Sequence, residues 1–121
     1  SRIVAVLDWE MATVGDPLLD LGWVVMGWPD DPAHTGSLGY VDYTGMPGKD
    51  EIVQRYAEQS GRPVDDIDYY VILARFKMAV VLEGGYARWV KGEADNDKMA
   101  AFGDVVLDMA ARAAELAAAT K

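Results

Sequence analysis

Val4-Ala5-Val6-Leu7-Asp8-Trp9-Glu10 leads, four residues later, into Gly15-Asp16-Pro17-Leu18-Leu19-Asp20-Leu21. Residues 3–7 are apolar and mostly β-branched or small, a pattern that predicts a short buried strand. Asp8 closes it. Residues 10–15 read as a loop. Asp16 followed by Pro17 marks a helix start. The aspartate accepts from free backbone N–H groups, and proline suits the first helical position, where its missing N–H costs nothing. The helix is expected to reach about Gly27. Leu18, Leu19, Leu21, Trp23, Val24, Val25 and Met26 cover nearly its whole circumference, as in a helix enclosed by a larger body. Asp20 is the one charge between Pro17 and Trp28.

Working outward, residues 28–48 contain three prolines and four glycines without periodicity. Loops of this length are commonly functional. A short amphipathic helix is expected over 50–60, with Ile52, Val53 and Tyr56 on one face, Gly61 as its stop and Pro63 beyond it. Asp65 or Asp66 is expected to cap a long helix reaching about Lys91. Its apolar face would hold Tyr69, Ile72, Leu73, Phe76 and Val80, extended by Tyr86 and Trp89. Gly84-Gly85 interrupts that helix and implies a kink or a close backbone contact. A last helix is expected over about 97–119, with Met99, Phe102, Val106 and Ala110 inward. The expectation is one strand and four helices. A lone strand cannot satisfy its own backbone groups, so its partners are expected outside this chain, as in a piece cut from a longer protein.

A chain of 121 residues suits one domain, and 51% hydrophobic residues suffice for a packed core. There is no cysteine, which excludes disulfides and thiolate metal sites and agrees with a reducing cytoplasm. No run is long enough for a membrane span, and the first residues lack the basic start and cleavage pattern of a secretion signal. Twenty acidic against 11 basic residues give a net charge of -9, which argues against nucleic acid as a partner.

Two acidic residues carry the chemical reading. A carboxylate at the end of a buried strand is well held for magnesium, which takes one or two protein carboxylates and keeps several waters. Asp8 fits that description, and spacing alone equally fits a turn-capping residue. Asp20, among apolar neighbours, is expected to be a buried anchor, because a buried carboxylate is costly unless bonded; the alternative is a narrow solvent-facing stripe. Glu10 offers a second metal contact or a surface charge. Asp30, Asp31 and His34 have no metal-specific spacing. Trp28, Tyr40 and Tyr43 are candidates for a substrate pocket beside the long loop, with core packing the competing use. Arg75 and Lys77 could meet an anionic substrate, or form surface ion pairs.

The two opening motifs resemble those of the aminoglycoside/choline-kinase-like phosphotransferases. That resemblance implies an α+β, protein-kinase-like fold in the intact protein. Residues 1–121 would be its C-terminal helical part, mostly α with about four helices and an N-terminal strand. It further implies that Asp8 binds Mg2+ and, through it, ATP, that Asp16 shapes the turn and cap, and that Asp20 braces a catalytic loop. Arg75-Phe76-Lys77-Met78-Ala79 and Glu83-Gly84-Gly85-Tyr86-Ala87-Arg88-Trp89 look like the subgroup related to the kinase-like domain fused to acyl-CoA dehydrogenases. The acceptor implied is the hydroxyl of a small molecule, with a hydroxyacyl thioester as one form. The family's catalytic His-x-Asp, with asparagine five residues later, has no counterpart here and is expected upstream of Ser1, with the nucleotide-binding lobe. The fragment alone is therefore expected to be inactive. A pseudokinase or a non-catalytic helical interaction domain is the alternative.

Overall fold

The computed structural model describes residues 3–9, 12–29 and 41–120. Four α-helices follow one another: α1 (Leu18–Gly27), α2 (Lys49–Ser60), α3 (Ile67–Val90) and α4 (Phe102–Ala119). A 3-10 helix, Asp97–Ala101, leads into α4. The anticipated N-terminal strand is absent, and no described residue lies in a strand. Residues 3–9 are irregular and exposed, with Ile3, Val4 and Leu7 each more than four-fifths open to solvent. The correction has a simple cause. β-Branched residues fit a pleated, half-buried surface, but a neighbouring strand makes the ladder. Among the described residues the fold is helical, with the four helices expected and without the strand.

Local chemistry sets the helix ends. Asp16 Oδ1 accepts the Leu18 N–H at 3.0 Å, and the Asp16 carbonyl accepts the Leu19 N–H at 3.0 Å, so α1 starts at the Asp-Pro pair. Helix α2 stops at Gly61, whose φ of 68° lies in the left-handed region and whose N–H reaches the Ala57 carbonyl at 2.9 Å. Glycine takes that conformation without a Cβ penalty. Asp66 precedes α3, but its side chain makes no capping bond. Before α4, the Asn96 side chain accepts the Lys98 N–H at 3.1 Å.

Helix α3 is the spine. Helix α1 packs on one side of it, with α2 leaning on α1, while the 3-10 turn and α4 return along the other. Leu21, Val25 and Met26 of α1 meet Val71 and Ala74 of α3 in the core. Each fully buried side chain of this size contributes about 1.5–3 kcal/mol. Ile52, Val53 and Tyr56 of α2 pack against the edge of this cluster, as their spacing predicts. Helices α3 and α4 run antiparallel. The Thr120 hydroxyl donates to Asp68 at 3.1 Å at one end, and at the other Gly85 and Gly103 face the rings of Phe102 and Tyr86.

The buried face of α3 differs from the expected one. Val71 and Ala74 are enclosed, whereas Tyr69, Phe76 and Val80 are 60%, 63% and 57% exposed. Two helices share the circumference of α3, and the α4 side is built from alanine. Ala110, Ala113, Ala114 and Ala117 are too short to cover the aromatic rings, and a groove of about 410 Å³ remains. The Gly84-Gly85 pair produces no break, since α3 is continuous through it. Gly85 is needed for the Phe102 ring, which would lie 3.1 Å from an added Cβ; Gly84 has open space around it.

Two glycine substitutions should therefore diverge. Gly84→Ala adds no clash and removes a helix-interior glycine, so it should stabilise by roughly 0.5–1 kcal/mol. Gly22→Ala puts a Cβ 2.7 Å from the backbone of Tyr70. It should lower the urea midpoint well below that of the unsubstituted chain, because neither helix axis can yield cheaply. Equal midpoints for the two variants would contradict the assigned seating of α1 on α3.

Candidate functional site

Asp8 sits in solvent, ahead of α1. Its φ of 70° makes it the one non-glycine residue in the left-handed region among those described. That conformation costs an L-residue roughly 1–2 kcal/mol, and aspartate and asparagine are among the few that visit it. The turn is closed by the Trp9 indole N–H, which donates to the Val6 carbonyl at 2.6 Å, and by the Ala12 N–H to the Trp9 carbonyl at 2.9 Å. Glu10 lies outside the described residues.

Among the described residues no three acidic or histidine side chains gather as a metal cage. Magnesium does not require one, because waters and phosphate oxygens complete its shell around one or two carboxylates. The donor set thus fits a magnesium ion carried on phosphates. It does not fit a free-standing metal centre.

Asp16 is held far more firmly. Its Oδ1 accepts the Leu18 N–H, and its Oδ2 accepts the Tyr70 hydroxyl at 2.7 Å, across 54 residues of sequence. The Tyr70 bond first, and the Leu18 bond second, hold the carboxyl below its ordinary value of 3.8. The same bond raises the Tyr70 phenol above its ordinary 10.0. Asp16 therefore joins the loop, the first turn of α1 and the start of α3. Asp20, one turn further along, is exposed and shares an open stripe with Val24. It is not enclosed by this chain, so its charge stays in water rather than meeting the cost of burial.

Trp28 and Tyr43 stand at the other end of α1, whose ten residues span about 15 Å by helix rise. Their rings meet edge-to-face at 5.0 Å. The Trp28 indole N–H donates to the Pro47 carbonyl at 3.0 Å, and the buried Tyr43 hydroxyl donates to the Gly27 carbonyl at 3.2 Å. Both aromatics fasten the ends of the long loop to α1. Tyr40, Asp30, Asp31 and His34 lie outside the described residues. Arg75 and Lys77 are half-buried on α3.

Sequence reasoning passed over Tyr70. The adjacent pair Tyr69-Tyr70 was its one signal, since neighbours on a helix face different directions and cannot both line one apolar face. The alanines of α4 recur at spacings of three and four residues, and these form one wall of the groove.

The Asp16–Tyr70 bond predicts a pH signature. A lowered folded-state carboxyl contributes stability that is complete above 3.8 and fades as pH falls through the folded value. A raised phenol contributes stability that is complete below 10.0 and fades as pH rises beyond it. The melting difference between the unsubstituted protein and Tyr70→Phe should be widest near neutrality and should narrow at both extremes. A pH-independent difference would mean the hydroxyl bond is not its source.

The model of the phosphotransferase enzyme family matches residues 1–62, a stretch that includes Asp8, Asp16 and Asp20. Acyl-CoA dehydrogenase family member 11 of Gallus gallus is 30% identical over 123 residues, which cover 96% of this chain and 16% of that protein. Member 11 of Homo sapiens is 28% identical, over 98% of this chain and 16% of its own length. Member 10 of Mus musculus is 28% identical, over 91% of this chain and 11% of its own length. The chain thus spans about a sixth or less of these curated relatives. No solved structure matches it significantly. The names of these relatives fit the subgroup resembled by residues 75–79 and 83–89. From the motifs around Asp8, Asp16 and Asp20 and the match that spans them, the chain belongs to the phosphotransferase enzyme family.

Proposed function

We propose that the whole protein is an ATP-dependent phosphotransferase acting on the hydroxyl group of a small molecule, and that residues 1–121 supply its metal-holding carboxylate and the helices that support it. The observation that carries this reading is the backbone of Asp8. A left-handed residue in a tight turn is cheapest as glycine. An exposed carboxylate in that conformation, beside the Trp9–Val6 bond, supports a use for its charge.

Asp8 would hold magnesium together with the phosphate oxygens of ATP. When bound, that ion neutralises the charge developing on the transferred phosphoryl group. Asp16 ties the approach to α1 in place, and Asp20 presents a carboxylate one turn later to brace the catalytic loop. The aspartate that accepts the acceptor's proton has no counterpart in residues 1–121, and this reading assigns it to sequence before Ser1. A hydroxyacyl thioester is one form the acceptor takes in this reading. The net charge of -9 disfavours a polyanionic partner such as nucleic acid. Among the described residues no helix is long and apolar enough to cross a membrane. The proposed setting is the cytoplasm, where ATP is abundant.

Two substitutions in the full-length protein test the assignment. Asp8→Gly and Asp8→Asn both tolerate the backbone, so melting should hold steady or rise slightly for glycine. Both should lose magnesium-dependent ATP binding by calorimetry, and turnover should fall on the order of a hundredfold or more. Turnover preserved in either variant would remove Asp8 from the metal role.

A further inference from the structure

Two independent contacts join Tyr70 to α1. Its hydroxyl donates to Asp16 Oδ2 at 2.7 Å, just outside the first turn. Its backbone abuts Gly22, where an added Cβ would lie 2.7 Å from the Tyr70 carbonyl carbon and oxygen and 2.9 Å from its Cβ. The two points are six residues apart, and the exposed Asp20 lies between them. A helix fixed at one point can slide and roll about it; fixed at two, it can do neither.

We propose that Tyr70 is a positioning residue of the phosphotransferase site: by gripping α1 at Asp16 and at Gly22, it sets where the Asp20 carboxylate stands. This rests on the reading above, in which Asp20 braces the catalytic loop. The Gly22 seat fixes how closely α1 approaches α3. The hydroxyl bond fixes the axial position and roll that remain. The two contacts also differ in environment. Gly22 is buried, whereas the Asp16–Tyr70 bond is open to water. Solvent-exposed bonds contribute little to stability, because water competes for both partners. They can still select one geometry, and catalytic groups need placement within about half an ångström.

Tyr70→Phe separates the two contacts, since it deletes the hydroxyl and leaves the backbone against Gly22. The probe is MgATP, with water as the acceptor, so that ATP is hydrolysed to ADP and inorganic phosphate by the full-length protein. Turnover should fall about ten- to a hundredfold while KM for MgATP stays within about twofold. Asp16→Ala should lose at least as much, since it also removes the Leu18 cap, and the double variant should be no worse than Asp16→Ala alone, as for two residues acting through one bond. Asp16→Asn should recover much of the turnover, because its amide can still meet both Leu18 N–H and the Tyr70 oxygen. Hydrogen exchange over residues 18–21 should accelerate in Tyr70→Phe and return towards normal in Asp16→Asn.

Turnover in Tyr70→Phe within about twofold of the unsubstituted enzyme would overturn the proposal, since that is the scale of an ordinary surface substitution. Additive losses in the double variant would overturn it too. If the unsubstituted full-length protein neither binds nor hydrolyses MgATP, the phosphotransferase reading itself falls and this inference with it. Binding and hydrolysis that are indifferent to Tyr70 would sink the inference alone.

Discussion

The seat of Gly22 on Tyr70 is the constraint from which the rest of the structure follows. No side chain fits between the two backbones, so α1 lies against α3 at the closest approach the peptide allows. That proximity lets Leu21, Val25 and Met26 reach Val71 and Ala74 and form the one core cluster of buried residues. It also brings the Asp16 carboxylate within reach of a phenol 54 residues away. At the far end of α1 it fixes Gly27, whose carbonyl receives the Tyr43 hydroxyl and so holds one end of the long loop. A wider spacing would loosen all three together.

How much of this was legible in the sequence depended on how local the cause was. Gly61 as a stop and Asp16-Pro17 as a start were readable because each acts within one turn on the chain's own backbone. The face of α2 was readable because that helix has a single neighbour to meet. The face of α3 was not, because it has two neighbours and one of them lines the groove with alanines, so an apolar stripe does not reveal which part is covered. The strand expected over 3–7 failed for a related reason: residue type describes what a strand prefers, whereas a strand exists only against another. Gly84-Gly85 shows both kinds of cause in adjacent residues. Gly85 answers to the Phe102 ring, 17 positions later, and Gly84 answers to nothing within reach.

The candidate site divides in the same way. Asp8 stood out at the end of an apolar run, and Asp20 as the one charge between Pro17 and Trp28. Their surroundings did not, since a loop aspartate and an anchored one look alike until the partner is known. Trp28 and Tyr43 illustrate the converse. An aromatic beside a loop suits a pocket or a fastening equally, and the hydrogen bonds to Pro47 and Gly27 decide for fastening.

The three carboxylates differ in what occupies their lone pairs. Asp16 has each oxygen engaged, one by a backbone N–H and one by a hydroxyl, and both bonds favour its charged form. To ligate a metal it would have to surrender one of them, and with it the cap of α1 or the tie to α3. Asp8 makes no side-chain hydrogen bond among the described residues, and its position is imposed by backbone conformation and by the Trp9–Val6 bond next to it. Its oxygens stay open to solvent, as the proposed metal role requires. Asp20 is open as well, but it rides on a helix gripped on both sides, so it is suited to pressing on a neighbouring segment and not to following a mobile ion. Asp16 is thus committed to holding the start of α1 against α3, while Asp8 keeps its oxygens open to solvent.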